Sequence, residues 1–254
     1  MIDVPRSGRW GFWAFIVLML GLMALFTGLG IWQVQRLAEK EQLIATVQAR
    51  LDLTPVPLPP AAEWSGFDAD VYNYRPLTVT GRYVPEASVL VFTSLSEARG
   101  KLAGPGYLVM TPLALQTGGT LLVNRGFVPQ QSGPAFAGGG PVEQGPVTLT
   151  GIGRLTEEVG SFTPGPDTAK RIEWVRNVDR LAAMSDANLA PFAPITLDLP
   201  AGPAGALPQG GETVVEFPNN HLGYAMTWFG FATITPVLLF FWARRQRRIV
   251  TRTP

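Results

Sequence analysis

Two stretches decide the fold: GFWAFIVLMLGLMALFTGLGIW, residues 11–32, and NNHLGYAMTWFGFATITPVLLFFW, residues 219–242. No Asp, Glu, Lys or Arg falls between Arg9 and Arg36, or between Glu216 and Arg244. A hydrocarbon core of about 30 Å takes roughly 20 apolar residues of helix, so each run is long enough to cross a bilayer once. The first run exceeds the roughly 7–15 residues of a signal peptide's apolar core, and no small-x-small cleavage site follows before Arg36; an uncleaved anchor is expected. Trp10 and Trp13 at one end, and Trp32 at the other, occupy the belt positions where indoles meet headgroups. In the second run Asn219 or Asn220 can cap the first amides after Pro218, and Pro236 marks a kink.

Charge gives the spans a direction. The formal net charge is only +1, yet the tails are basic: Arg6 and Arg9 precede the first run, and Arg244, Arg245, Arg247, Arg248 and Arg252 follow the second. From Leu37 to Phe217 there are 12 basic and 18 acidic residues, an excess of six acids. Basic flanks favour the cytoplasmic side, so both termini are expected in the cytoplasm and the domain between the spans outside. That domain's acidity argues against nucleic acid, which needs a basic face. No Arg-rich, acid-poor presequence precedes the first run, and the location this predicts is a bacterial inner membrane with the domain in the periplasm.

The expected layout is a cytoplasmic tail (1–10), a transmembrane helix (11–32), an amphipathic helix and Pro-rich linker (33–60), a β-rich domain (61–217), a second transmembrane helix (218–242) and a basic cytoplasmic tail (243–254). Leu37, Ile44, Val47 and Leu51 recur at helical spacing, and the prolines at 55, 57, 59 and 60 end that helix. Alternating or β-branched runs predict strands at Arg75–Tyr83, Ser88–Phe92, Tyr107–Leu115, Thr120–Val128, Val147–Leu155 and Ile195–Leu199. Gly118-Gly119 reads as a hairpin turn, Val178–Met184 as a short helix, Gln131–Gly145 as a mobile loop and Pro200–Gly211 as a Gly/Pro-rich loop. The fold class is therefore a membrane protein in which two transmembrane α-helices flank a mainly antiparallel β (α+β) external domain.

The residues present exclude much chemistry. There is no cysteine, hence no disulfide and no thiol chemistry. The single histidine, His221, lies at the membrane boundary, which rules out a histidine-dependent triad or a multi-histidine metal site in the domain. Glu157-Glu158 and Asp68 with Asp70 read as solvated acids. On a helix His221, Tyr224, Ala225 and Trp228 share one face, while Gly223, Thr227 and Gly230 lie nearly opposite. Small residues let membrane helices approach closely, so this second stripe is expected to pack on Gly21, Ala24 and Gly28 of the first span. His221 and its aromatic neighbours then face a ligand, a partner or lipid. Two readings of His221 stand on these residues alone: an interfacial polar side chain, or an axial ligand of haem iron.

Three stretches carry a resemblance that spans the chain: Leu29-Gly30-Ile31-Trp32-Gln33-Val34-Gln35-Arg36, Leu122-Val123-Asn124-Arg125-Gly126-Phe127-Val128-Pro129, and Asn219 to Gly230 with His221 at its third position. Tyr74-Arg75-Pro76, Val79 to Tyr83 and Pro105-Gly106-Tyr107 add weaker echoes. The sequence resembles the Surfeit-locus family of cytochrome c oxidase assembly factors. The resemblance implies an assembly factor rather than an enzyme, one that binds haem a and aids its insertion into oxidase subunit I, with haem a synthase as a further partner. It implies His221 as the haem iron ligand, with Tyr224, Trp228, Trp32 and Arg125 as haem-binding residues; an arginine there can pair with a propionate. Phe127 departs from the tryptophan usual in the family, so an indole is not required at that place. The alternative is a haem-free membrane scaffold that stabilises nascent subunit I.

Overall fold

A computed structural model describes residues 7–213, 217 and 219–250. The ends of both tails expected in the cytoplasm, and Pro218 before the second span, lie outside the described residues, as do the side chains of Arg247 and Arg248. The chain forms two compact units, one of residues Met1–Thr46 with Glu216–Pro254, the other of Val47–Val215.

The first unit is helical. Helix α1 runs unbroken over Ser7–Leu51 and helix α5 over His221–Val250. At about 1.5 Å per residue, the 45 residues of α1 extend about 68 Å, twice the hydrocarbon thickness. Both helices are long and apolar enough to cross a membrane, and few of their side chains are buried. Trp10, Val17, Leu18, Phe240 and Phe241 are all more than half exposed, an apolar surface that lipid covers and water does not. These are two candidate membrane-spanning helices. Arg244 and Arg245 continue α5 rather than ending it, since arginine is a good helix former.

The two helices of this unit meet antiparallel. Phe12 stacks on Trp242 at 5.2 Å between ring centroids, and Phe26 on Trp228 at 5.8 Å. Farther along α1, Gln33 reaches His221, and the Lys40 ammonium lies over the Phe217 ring at 5.1 Å. The inward positions of α5 are His221, Ala225, Trp228, Ala232, Thr235, Leu239 and Trp242, a 4-3-4-3 spacing like that of a coiled-coil seam.

This seam corrects the expected packing. Gly21 and Gly28 of α1, and Gly223 and Gly230 of α5, have nothing within 4 Å of an added Cβ, so the small stripes are not the contact. The His221 face, expected to point away, is the one turned to α1. Stacked rings and a paired polar couple supply the contact instead. Gly30 is the glycine the seam uses: an added Cβ would lie 2.6 Å from the Phe229 ring.

The second unit is β-rich. After α1 come strand β1 (Val56–Pro57), a 3-10 turn (Ala61–Gly66) and helix α2 (Ala69–Tyr72), whose first turn Asp68 caps. Strands β2 (Pro76–Tyr83), β3 (Val89–Leu95), β4 (Gly104–Leu115) and β5 (Thr120–Pro129) follow. Then come helix α3 (Gly133–Phe136), β6 (Pro146–Leu155), β7 (Ile172–Glu173), helix α4 (Val178–Met184) and β8 (Phe192–Asp198).

The strand order is β1-β2-β6-β8-β5-β4-β3-β7, and β2 also pairs with β4, so β2, β6, β8, β5 and β4 close into a barrel. Closure removes the open edges that a sheet of this size would otherwise expose. Most pairings are antiparallel, but β5–β8, β1–β2 and β3–β7 are parallel. The chain reaches β8 through α4, a crossover long enough to permit a parallel partner.

Inward residues alternate along the strands. Leu77, Val79, Leu113, Leu121, Val123, Ile195 and Leu197 fill the barrel. Their neighbours Met110 and Leu122 point the other way, onto Val178 and Leu181 of α4. Strands β4 and β5 are thus buried on both faces.

Two segments read as connections are built in. Leu58, in the Pro-rich stretch expected to be a linker, is buried in the barrel core, and β1 beside it pairs with β2, so the β unit starts before residue 61. Prolines forbid helix there but leave an extended edge strand open to them. Within 131–145, expected as a mobile loop, Phe136 packs with Leu90, Tyr107, Val109 and Val128.

Candidate functional site

The helical unit brings two of the candidate residues, His221 and Trp228, together on the seam. His221 opens α5, and its backbone N–H donates to Asn219 Oδ1 at 3.4 Å, an N-terminal cap. Its ring Nδ1 lies 2.7 Å from Oε1 of Gln33, 188 positions earlier in the chain. Gln33 is buried. Among the described residues His221 Nε2 has no hydrogen-bond partner. Ala225, one turn on, is buried against the seam and leaves room for the ring above it; Trp228, a turn further, stacks on Phe26.

Tyr224 does not join them. It is 58% exposed and borders an open groove with Asn219, Asn220, Gly223 and Thr227. Trp32, the residue before Gln33, is also largely exposed, with the Arg36 guanidinium 5.8 Å from its ring centroid. The site is therefore a half-buried imidazole held by Gln33, with Tyr224 exposed one turn along α5.

Arg125 belongs to the β unit, and both of its Nη atoms already donate. Its Nη1 donates to the carbonyl of Gly139 and its Nη2 to that of Pro141, while the guanidinium lies over Tyr83 at 5.7 Å. Burial pulls the guanidinium below its ordinary pKa, with Tyr83 opposing. Burial also pushes the Tyr83 hydroxyl up to about 12; the Arg125 charge works against that rise and Glu143 adds to it.

The neighbours of Arg125 explain the rest of its motif. Asn124 Oδ1 accepts from the Gly126 N–H at 3.1 Å, and Asn124 Nδ2 donates to Asp198 Oδ1 at 3.1 Å. Gly126 has φ +124°, and an added Cβ would lie 2.3 Å from the Gln209 backbone. That glycine lets the segment 199–211 cross β5, where Phe127 and Gln209 exchange backbone hydrogen bonds at 2.8 Å. Asn124-Arg125-Gly126 thus pins a turn, a loop and a crossing strap.

Glu157 is exposed, as expected, and is also paired. Its carboxylate sits 3.2 Å from Arg176 Nη2, and Arg176 Nη1 pairs with both oxygens of buried Asp198 at 3.0 and 3.1 Å. A second buried acid, Glu173, is held by Arg180 at 2.8 and 2.9 Å.

Sequence reasoning missed Gln33 as an individual residue. The available signal was its place: the first side chain after Trp32 with an amide rather than an apolar group, at the end of one span, as His221 is the first ring at the start of the other. In an antiparallel pair those two ends meet.

Two candidate spans bracketing a closed β barrel, with a histidine–amide couple on the helical seam, define a two-span membrane protein with one folded domain between the spans. A model of the SURF1 family matches residues 20–233. The chain is 34% identical over 253 residues to Surfeit locus protein 1 of Rattus norvegicus, covering 93% of this chain and 76% of that one. It is 33% identical over 248 residues to Surfeit locus protein 1 of Homo sapiens, covering 90% and 77%. It is 32% identical over 250 residues to a SURF1-like protein of Monosiga brevicollis, covering 94% and 90%. The chain belongs to the SURF1 family.

Proposed function

We propose that this chain is an assembly factor for haem-copper (aa3-type) cytochrome c oxidase, one that holds haem a through His221 and aids its insertion into oxidase subunit I. The observation that carries the reading is the state of His221: one ring nitrogen is engaged by Gln33 and the other has no partner among the described residues, at the start of an apolar helix. Neutral imidazole is a common axial ligand of haem iron, and apolar surroundings suit a macrocycle. The residues present fit that group: His221 supplies a nitrogen, and Trp32 and Tyr224 are aromatic rings exposed on the same two helices. Bound haem would supply an iron centre for axial ligation. The protein's own part is to fix the imidazole and shield it.

Arg125 enters this reading in a narrower role. A propionate there has to share the guanidinium with the Gly139 and Pro141 carbonyls that its Nη atoms already hold. The placement within the reading is the inner membrane, with both termini cytoplasmic and the domain periplasmic, supported by the basic flanks and the acidic middle of the chain. Oxidase subunit I is the proposed client and haem a synthase the proposed donor.

One observation favours a second reading: the His221–Gln33 bond also suits a haem-free scaffold in which the couple only locks two helices. In cells lacking the native gene, the unmodified chain should restore the haem a content of subunit I, and an equally abundant His221→Ala chain should not. Full restoration by His221→Ala would select the scaffold.

A further inference from the structure

We propose that Gln33 is a positioning residue that fixes His221 as the Nδ1–H tautomer and so presents the Nε2 lone pair. The inference rests on the proposed role of His221, but its own test needs no haem. The chemistry is short. A carbonyl oxygen has no hydrogen to give, so in the 2.7 Å contact between Gln33 Oε1 and His221 Nδ1 the imidazole is the donor. Neutral imidazole carries one N–H, and with that hydrogen on Nδ1 the lone pair is on Nε2.

The surroundings hold the couple in place from both sides. Gln33 is buried in the seam, where its amide has no water to turn to. Gly30, three residues before it, admits the Phe229 ring at a distance any Cβ would block, which keeps the helices close at this level. The His221 backbone is fixed by Asn219, so ring and main chain are both restrained. Histidines that bind metals commonly donate their second N–H to such a partner, which sets tautomer and ring orientation. An amide does this without bringing a charge to the membrane helices, where an ionised carboxylate is costly.

The chain has one histidine, so histidine labelling reads this site alone. The full chain, labelled with 15N-histidine and held in lipid nanodiscs without haem, is expected to give a protonated, pyrrole-type Nδ1 and an unprotonated, pyridine-type Nε2. Gln33→Met keeps the length and removes the oxygen; it should move the signals toward the Nε2–H form. Gln33→Glu, which again offers an acceptor oxygen, should keep the hydrogen on Nδ1. With haem supplied, Gln33→Met should weaken haem binding about 10–100-fold, the usual effect of removing such a partner. An Nε2–H signal in the unmodified chain, or an unchanged pattern in Gln33→Met, overturns the proposal. The unmodified chain decides the first point even where Gln33→Met does not fold. Nδ1–H in a chain that never takes up haem keeps the tautomer and defeats the haem reading; haem bound through His221 with Nε2–H does the reverse.

Discussion

Both units of the molecule bury polar side chains, and they do so in opposite ways. In the β barrel, Asp198 is 1% exposed and its two oxygens accept from Arg176, from Asn124 and, at 2.7 Å, from Thr213. Glu173, fully buried, takes two nitrogens of Arg180 and the Trp174 N–H. Both oxygens of each carboxylate are engaged within the fold, which leaves little to offer a ligand. In the helical unit His221 has one partner and a second nitrogen without one among the described residues. The carboxylates use their acceptors inside the fold, whereas the imidazole keeps one nitrogen over; an unpaired atom alone does not mark a site, since Arg176 Nε in the Asp198 cluster is also buried without a partner among the described residues.

The comparison breaks first at Asp198. Asp198→Ala leaves the Arg176 guanidinium buried without its main counter-charge, and removing one partner of such a pair costs about 3–5 kcal/mol. The denaturant midpoint of the β unit, followed by tryptophan emission, should fall accordingly. A loss below about 1 kcal/mol would make the cluster equivalent to a surface pair. Replacing both residues by apolar ones of similar volume should recover most of the loss, because the penalty lies in the orphaned charge.

A smaller effect is expected at Gly126, which serves the same cluster through Asn124. Gly126→Ala places a methyl against the Gln209 backbone at a positive φ, a conformation that costs a side chain about 1–3 kcal/mol. Limited proteolysis should then cut faster within 199–211, where the strap crosses β5. Unchanged cutting would mean that the strap is held elsewhere, by the Gln209 side chain on Leu102 for instance.

The smallest effect is a pH dependence. Tyr83 is an acid whose pKa burial raises from 10.0 to about 12, so the folded state keeps its proton longer than the unfolded chain does. Its contribution to stability is complete below pH 10 and is lost as pH rises through about 12. Absorbance titration of tyrosinate should find one late-ionising tyrosine, and Arg125→Met should delay it further by removing the charge that lowers it. An earlier ionisation in Arg125→Met would contradict that electrostatic account.

The sequence exposed the parts of this molecule that obey local or compositional rules. Charge-free runs name the spans because a bilayer sets a minimum length. Alternation locates β2 to β6 within a few residues, and α4 appears at Val178–Met184 as expected. What it hid is non-local. The parallel pairing of β5 with β8, and the entry of Val56 and Leu58 into the barrel, depend on partners far along the chain.

The packed face of α5 was hidden for another reason. Gly223, Thr227 and Gly230 satisfy the small-residue rule, but a polar couple on the opposite face outweighs it. His221 stands out in the sequence as the one histidine; that Gln33 holds it needed the two helices side by side.

The central claim is that His221 offers a free nitrogen to haem iron, and a haem titration tests it most directly. Haem a added to the full chain in nanodiscs should produce a saturable shift of the Soret band to a histidine-ligated spectrum, and a His221→Ala chain of equal folding should not develop it. The same shift, at the same midpoint, in His221→Ala would contradict the account.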